Sequence, residues 1–207
     1  MTPYKLTDET IEINGKTLHR IELTEDCKWG SKGTKGGFIE STSNLTEDAW
    51  VSGNAHVSHN AYVSHNAHVS GNAHVSDNAH VYGNAYVSDN AHVSHNAHVY
   101  GNAYVYDNAY VSYYAKVSGY AKVSGDAWVS GDVQVSGDAN IGSTSDYMTI
   151  SSLGETSRTI TITFSDKMIV AGCFRGSLEE FKKAVDQKYK GQGNYYPTIN
   201  FITELFK

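Results

Sequence analysis

The sequence has little cysteine and no long apolar run. Cys27 and Cys173 are its two cysteines, far apart and in no metal-ligand spacing. The chain therefore lacks the cysteine density of a disulfide scaffold, and we expect reduced thiols in a cytoplasmic protein, although one bridge between the two stays open. No segment approaches the roughly eighteen apolar residues of a membrane span, and the N-terminus has no apolar signal-peptide core. We expect neither a membrane partner nor export.

Positive charge is also sparse. The chain carries 16 Lys and Arg residues against 22 Asp and Glu residues, a net charge of −6. Nucleic acid polymers are bound by clustered Lys and Arg, so we expect no such polymer as a partner. Between residues 48 and 143 the cations are Lys116 and Lys122, whereas nine of the ten histidines lie there. Because His titrates near neutral pH, this region can change its charge on acidification.

A six-residue repeat runs from Asp48 to Ser143 without an insertion. The second residue of each unit is Ala, with Val133 as the one exception, and the fourth is Val or Ile. The residue between them is larger and usually polar. Ala-x-Val predicts a short strand whose side chains alternate between two faces, and the Ser, Gly, Asn and Asp residues that follow predict a turn. Such a short period predicts a β-helix with rungs about 4.8 Å apart.

The Ala-x-Val-x-x-Asn repeat resembles the hexapeptide-repeat superfamily of left-handed parallel β-helices. The resemblance implies a mainly β fold in which three repeats form one triangular coil, so residues 48–143 would form about five coils. The run from Lys35 to Ser41, with Asn44 and Leu45 before the first repeat, also resembles uncharacterised hexapeptide-repeat proteins of phages and prophages. That similarity implies a viral origin, and a location in the cytoplasm of the host cell.

Residues 1–47 predict an N-terminal β cap and a first irregular rung. Alternating residues flank Asn14-Gly15-Lys16, and Asn-Gly between such runs is a strong hairpin signal. The exposed edge of the first rung would need this cover. Phe38–Glu40 and Leu45 predict an imperfect start of the solenoid.

Residues 144–207 predict a small α+β domain of three strands and two helices. Ser177-Leu178-Glu179-Glu180 is a capping box for the first helix. The expected role of this domain is to cap the last rung or to assemble trimers. The expected strands are 147–150, 158–164 and 168–171, and the helices are 177–189 and about 197–206, the second with Phe201, Ile202, Leu205 and Phe206 inward.

The outward residues of the strands recur every eighteen positions and form three columns. We name them the Trp50 column (Trp50, His68, Tyr86, Tyr104, Lys122, Asn140), the His56 column (His56, His74, His92, Tyr110, Trp128) and the Tyr62 column (Tyr62, His80, His98, Lys116, Gln134). Arg175 beside the helix start at Ser177 is a possible anion site, although ordinary capping explains the same residues. The candidate binding or interface residues are His56, His74, His92, Tyr110, Trp128, His68, Tyr86, Tyr104, His80, His98, Lys116, Lys122 and Arg175.

Three interpretations of the columns remain open. Stacked like residues can form ladders that stabilise neighbouring rungs. Tyr, Trp and His are also enriched at protein interfaces, and hexapeptide-repeat proteins are typically homotrimers. Metal binding by His56, His74 and His92 is the third, but zinc usually needs four oriented ligands, so we expect no metal and no cofactor.

These patterns favour a non-catalytic binding protein, assembled as a homotrimer, that captures a small anionic or nucleotide-like ligand or a host protein. With a phage origin, it could antagonise a host defence. One alternative is a structural scaffold or virion component. A second is an acyltransferase, which the resemblance allows, but the repeats carry no protruding loop and distinguish no single His as a general base, so we expect no catalytic residue.

Overall fold

The repeated segment folds into a parallel β-solenoid with three faces in the computed structural model, which describes residues 1–153, 158–191, 193 and 195–207. In each hexad the side chains of Ala and Val point inward and are almost fully buried. The residue between them points outward, as alternation along a strand requires. The core of the solenoid is therefore a continuous stack made mostly of Ala and Val.

The N-terminal segment is the predicted hairpin, followed by the first rung. Strands β1 (Tyr4–Ile13) and β2 (Lys16–Leu23) pair in antiparallel fashion, and Asn14 and Gly15 between them both have positive φ, as a tight hairpin turn needs. Strand β2 pairs with β3 (Lys35–Ile39), which in turn runs parallel to the next coil. The hairpin thus covers a strand edge that would otherwise be open.

Sixteen short strands continue the solenoid, and strands eighteen residues apart pair in one sheet, as His56 and His74 do. Their register is that of the three predicted columns. The strands are β4 (Trp50–Val51), β5 (His56–Val57), β6 (Tyr62–Val63), β7 (His68–Val69), β8 (His74–Val75), β9 (His80–Val81), β10 (Tyr86–Val87), β11 (His92–Val93), β12 (His98–Val99), β13 (Tyr104–Val105), β14 (Tyr110–Ser112), β15 (Lys116–Val117), β16 (Lys122–Val123), β17 (Trp128–Ser130), β18 (Gln134–Val135) and β19 (Asn140–Ile141).

The solenoid has six coils, one more than the repeat alone predicts. The additional coil is the irregular start, where Phe38 and Ile39 pair with the strand at His56 and Leu45 bridges to Val63. The segment between them contains a short 3₁₀ helix, Thr42–Asn44, so it departs from the six-residue spacing. The expectation that the solenoid begins here in imperfect form is confirmed.

The chain after the solenoid forms an α+β unit with four strands. These are β20 (Tyr147–Leu153), β21 (Arg158–Thr163), β22 (Met168–Ala171) and β23 (Phe174–Gly176), antiparallel in that order, with helices α1 (Leu178–Tyr189) and α2 (Tyr195–Leu205). A second 3₁₀ helix, Thr144–Asp146, leads into the unit. Strand β23 was not expected, because three residues are too few to show alternation. No helix in the described part of the chain has the length and apolarity needed to cross a membrane.

Helix α2 is rotated relative to its expected orientation. Ile199 and Ile202 are buried against the sheet, whereas Phe201 and Leu205 are 47% and 39% exposed. The expectation that Phe201 and Leu205 point inward is therefore wrong, and that for Ile202 is confirmed. The helix starts at Tyr195, before Pro197, which is tolerated because the first-turn amides need no partner within the helix.

The C-terminal unit closes the last coil with hydroxyl groups. The backbone amides of Trp128, Gln134 and Asn140 point toward where a seventh coil would lie. They donate instead to Thr144 Oγ1 at 3.0 Å, Thr161 Oγ1 at 3.1 Å and Ser165 Oγ at 2.9 Å, respectively. Each sheet of the prism is thus ended by a side chain that replaces a strand, which is one of the two roles expected for this unit.

Candidate functional site

The His56 column is a stack of hydrogen-bonded and stacked rings. His56 Nδ1 lies 3.1 Å from His74 Nε2, and one of these nitrogens donates to the other. The rings of His92 and Tyr110 stack with centroids 4.5 Å apart, and Tyr110 contacts Trp128 at 5.6 Å. Exposure rises along the column, and Trp128 is 54% exposed. These contacts are the ladder that the repeat predicts.

Burial within the columns makes several histidines hard to protonate. It lowers the pKa of His56 to about 4, with a further contribution from the neighbouring His74. Burial is the main cause of a lowered pKa at His74, followed by the adjacent His92. Burial also lowers the pKa of His92. A neutral ring can pair with the next ring, whereas two charged rings would repel each other. With a pKa of about 4, His56 stays mostly neutral at pH 5, so acidification to that pH does not charge every histidine of the column.

The Trp50 and Tyr62 columns are less uniform. Trp50 is buried beneath the N-terminal cap, and His68 below it is covered by Trp29, with ring centroids 5.0 Å apart. Burial lowers the pKa of His68. Further along the same sheet the rings of Tyr86 and Tyr104 stack in the open. The part of the Trp50 column whose side chains are exposed to solvent therefore begins at Tyr86.

On the Tyr62 column, His80 and His98 stack with centroids 5.0 Å apart. Burial is the main cause of a lowered pKa at His98, followed by repulsion from His80 and Lys116. Across the described residues, no group of three or more His, Cys, Asp or Glu side chains is arranged to hold a metal ion.

One groove in the surface lies beside the predicted residue Arg175. It lies at the corner between the Tyr62 and Trp50 columns, where the last two coils meet the C-terminal unit, and has a volume of about 610 Å³. We call it the central groove. Its lining includes Tyr100, Tyr120, Gln134, Ser136, Gly137, Asp138, Cys173 and Arg175.

Arg175 is positioned by the backbone of the solenoid. Strand β23 carries it to the corner residue Gly137, where any Cβ would overlap the guanidinium group. Within the described residues the Arg175 side chain forms neither a hydrogen bond nor an ion pair, and it is exposed. A guanidinium with free donors can bind a carboxylate or phosphate through two parallel hydrogen bonds.

Two tyrosines line the other side of the central groove. Tyr100 replaces the usual corner Ser and is held by a parallel stack on Tyr82, with centroids 5.0 Å apart and an interplanar angle of 2°. Tyr120 replaces the corner Asn and is 63% exposed. Ser136, also in the lining, has a hydroxyl oxygen that is buried without a hydrogen-bond partner in the described structure. The groove therefore combines aromatic faces with a cation.

Two smaller grooves adjoin the central groove, one on each of the two faces that meet at this corner. The first, of about 420 Å³, shares Gln134 with it and contains His98, Tyr114, Lys116 and Asp132. The second, of about 480 Å³, shares Tyr120 and Asp138 and contains Tyr104, Lys122 and Asn140. We call them the Lys116 groove and the Lys122 groove.

The structure brings five of the predicted candidates together around this corner and leaves the others elsewhere. Tyr104, His98, Lys116, Lys122 and Arg175 line the three grooves. The remaining candidates lie on the His56 column or farther along the other two columns, namely His56, His74, His92, Tyr110, Trp128, His68, Tyr86 and His80.

Several groove residues are absent from the residues that the sequence predicts as candidates. Tyr100, Tyr114 and Tyr120 interrupt the Ser and Asn pattern of the corners, and these interruptions were the available signal. Gly137 and Cys173 carried no such signal, because only the folded chain brings strand β23 against the last coil. Both cysteines are free thiols, and Cys173 is exposed.

The comparisons with known proteins leave the interpretation to this geometry. Neither a scan against models of known protein families nor a search of curated protein sequences found a match to this chain.

Proposed function

We propose that the protein is a non-catalytic binding protein that captures a small anionic ligand with an aromatic ring in the central groove. The observation that carries the proposal is Arg175, which lies against Gly137 with its side-chain donors unpaired among the described residues and shares the groove with Tyr100 and Tyr120. The anionic group binds to Arg175, and the ring stacks on Tyr100 or Tyr120. A nucleoside monophosphate has both parts.

The size and chemistry of the groove support this ligand class. A volume of about 610 Å³ lies within the roughly 300–1,000 Å³ of small-molecule sites. Gln134 adds an amide group that can orient a ligand. Tyr100 is fixed in advance by its stack on Tyr82, so little ordering entropy is lost when a base packs on it.

Capture is favoured over acyl transfer by the composition of the groove. The acyltransferases of the hexapeptide-repeat superfamily use a histidine as general base, and no histidine lines the central groove within the described residues. The groups present are donors, acceptors and aromatic faces, which bind and orient a ligand.

The proposal extends to origin, assembly and location. A relationship to the hexapeptide-repeat proteins of phages is supported by the repeat and the Lys35–Leu45 segment. A homotrimer is supported by the His56 column, which exposes Tyr110 and Trp128 and contains no Lys, Arg, Asp or Glu. Free thiols at Cys27 and Cys173 fit a reducing cytoplasm, that of the host if the protein is phage-encoded. There, sequestering a nucleotide signal would antagonise a host defence.

The test is isothermal titration with adenosine 5′-monophosphate, adenosine and inorganic phosphate. We expect the monophosphate to bind more tightly than either of the other probes, and Arg175→Gln to weaken it at least tenfold. Lys183→Gln, an exposed change on helix α1 outside the grooves, is the matched control and should have no effect. Binding that is equal in Arg175→Gln and the unmodified protein would overturn the assignment of the site.

Cys173 gives an independent readout of occupancy. Because it lines the central groove, bound monophosphate should slow its alkylation, while Cys27 near the N-terminal cap reacts at an unchanged rate. Mass spectrometry after timed labelling separates the two sites. Equal protection of both cysteines, or of neither at saturating ligand, would contradict binding in the central groove.

A further inference from the structure

The three grooves form one continuous depression around a corner of the prism. Gln134 belongs to both the Lys116 groove and the central groove, and Tyr120 and Asp138 belong to both the central groove and the Lys122 groove. Lys116 and Lys122 lie on successive strands of the fifth coil. Their neighbours on the sixth coil, Gln134 and Asn140, flank the corner that holds Arg175.

Each groove pairs one cation with at least one aromatic ring. Lys116 lies with Tyr114, Arg175 with Tyr100 and Tyr120, and Lys122 with Tyr104 and Tyr120. Among the described residues, none of the three cations forms an ion pair. A surface with three such units in a row matches a ligand in which phosphates and flat rings also alternate.

The carboxylates in the depression fit the same pattern. Asp132 lies in the Lys116 groove and Asp138 lies between Arg175 and Lys122, and both are exposed. A carboxylate repels phosphate but accepts hydrogen bonds from sugar hydroxyl groups or from exocyclic amino groups of bases. Asp138 between Arg175 and Lys122 thus has the place of the ribose between two phosphates, and Asp132 lies on the outer side of Lys116.

We propose that the natural ligand is a short 5′-phosphorylated oligoribonucleotide of three nucleotides, bound with one phosphate at each of Lys116, Arg175 and Lys122. This inference rests on the proposed function, because Arg175 in the central groove provides the middle contact. It goes further by assigning the two adjoining grooves to the same ligand. The central groove alone would bind a mononucleotide, whereas the continuous depression of all three grooves selects a longer molecule.

Titrations with adenylate probes of increasing length test the inference. The probes are adenosine 5′-monophosphate, the 5′-phosphorylated di- and triadenylates, and the deoxy form of the triadenylate. We expect the triadenylate to bind at least tenfold more tightly than the monophosphate, and the deoxy form to bind less tightly than the ribo form. Lys116→Gln and Lys122→Gln should each weaken triadenylate binding more than monophosphate binding, with Lys183→Gln as the control.

The salt dependence of the binding constant gives the number of phosphates that the protein contacts. For single strands the slope of log K against log salt is about −0.7 per neutralised phosphate, so each Lys→Gln change should reduce the slope for the triadenylate by about 0.7. Arg175-dependent binding of the monophosphate, with no gain for the triadenylate, would overturn this inference and leave the proposed function intact. Absence of Arg175-dependent binding for all probes would overturn both.

Discussion

A single glycine holds the proposed binding groove open. Gly137 has φ +73° and the Arg175 guanidinium lies over its α-carbon, in the space that a Cβ would fill. Glycine there serves two needs, because it adopts the left-handed conformation easily and allows a side chain to approach the backbone. The position of Arg175, and with it the charge of the groove, thus depends on a residue that can make no side-chain contact of its own.

Gly137→Ala should therefore abolish or strongly weaken binding of adenosine 5′-monophosphate, because the new methyl group displaces Arg175. The left-handed φ should also cost about 1–2 kcal/mol of stability. Gly131→Ala is the matched control, since Gly131 has φ +84° and nothing within 4 Å of the added Cβ. Chemical denaturation and titration calorimetry are the measurements. Equal losses of affinity in the two variants would show that backbone strain, and not Arg175, controls binding.

The sequence alone predicts which residues form the columns, but it does not predict which residues form the central groove. A strict period fixes which residues stack, so His56, His74 and His92 could be placed in one column from the sequence, and the structure has them in register. Arg175 is different. Its position depends on how the C-terminal unit docks on the last coil, and no repeat connects the two segments.

At the scale of an element, the His56 column links stability to pH. Burial lowers the pKa of His56 to about 4 in the folded protein, whereas an unfolded His titrates near 6.5. Between these values the unfolded chain binds more protons, so stability is fully present above about pH 6.5 and is lost as the pH falls toward 4. His74 and His92, whose pKa values are also lowered, act in the same direction.

His56→Tyr should reduce this acid sensitivity, because a tyrosine ring can stack in the column, as Tyr110 does, and does not titrate in this range. We expect a shallower loss of stability between pH 6.5 and 4, with little change at pH 8. His59→Asn, at an exposed corner where Asn also accepts positive φ, is the control. Urea denaturation at several pH values measures both. An unchanged pH dependence in His56→Tyr would contradict the role of the ladder.

A separate prediction concerns the hydroxyl groups that cap the last rung. Thr161 is buried, and its hydroxyl accepts the hydrogen bond of the Gln134 amide. Thr161→Val keeps the shape but removes the acceptor, and an unsatisfied buried amide costs about 1–3 kcal/mol. Thr149→Val, on an exposed position of β20, should change stability by less than about 0.5 kcal/mol. Equal stability of the two variants, measured by thermal denaturation, would show that the hydroxyl group is not needed as a cap.

The C-terminal elements show the limits of pattern recognition. The capping box correctly predicted where helix α1 begins, because Ser177 and Glu180 form local contacts that need no tertiary information. The inward face of α2 was partly mispredicted, since Phe201 and Leu205 are apolar but point away from the sheet. Apolar residues surround much of this short helix, so its rotation is set by how Tyr195, Ile199 and Ile202 pack against helix α1 and the sheet.

At the scale of the whole molecule, the His56 face differs from its neighbours by its lack of charge. The other two faces each carry a lysine on the fifth coil, Lys116 or Lys122, whereas this face carries only aromatic and imidazole rings on its outward column. An uncharged face can be buried between subunits without desolvating an ion. The low pKa of His56 would keep part of such an interface neutral at pH 5.

Trp128→Lys should therefore dissociate the proposed trimer into monomers, since it introduces a charge at an exposed ring on this face. Tyr86→Lys adds the same charge to the Trp50 column and should leave the assembly intact. Sedimentation velocity at pH 8 gives the masses directly. Dissociation by Tyr86→Lys alone would move the interface to another face, and a monomeric unmodified protein would rule out the trimer.

The solenoid can also be regarded as a spacer of adjustable length. Each inner coil is bonded only to the coils directly before and after it, through strands eighteen residues apart. The hairpin pairs with the first strand of the solenoid, and the hydroxyl groups at the other end accept hydrogen bonds from the last coil. Gain or loss of one eighteen-residue unit by recombination between repeats would thus change the distance between the two ends by about 4.8 Å and leave both of them intact. The proposed binding site is confined to the last coils, so it would keep its structure when the number of coils changes.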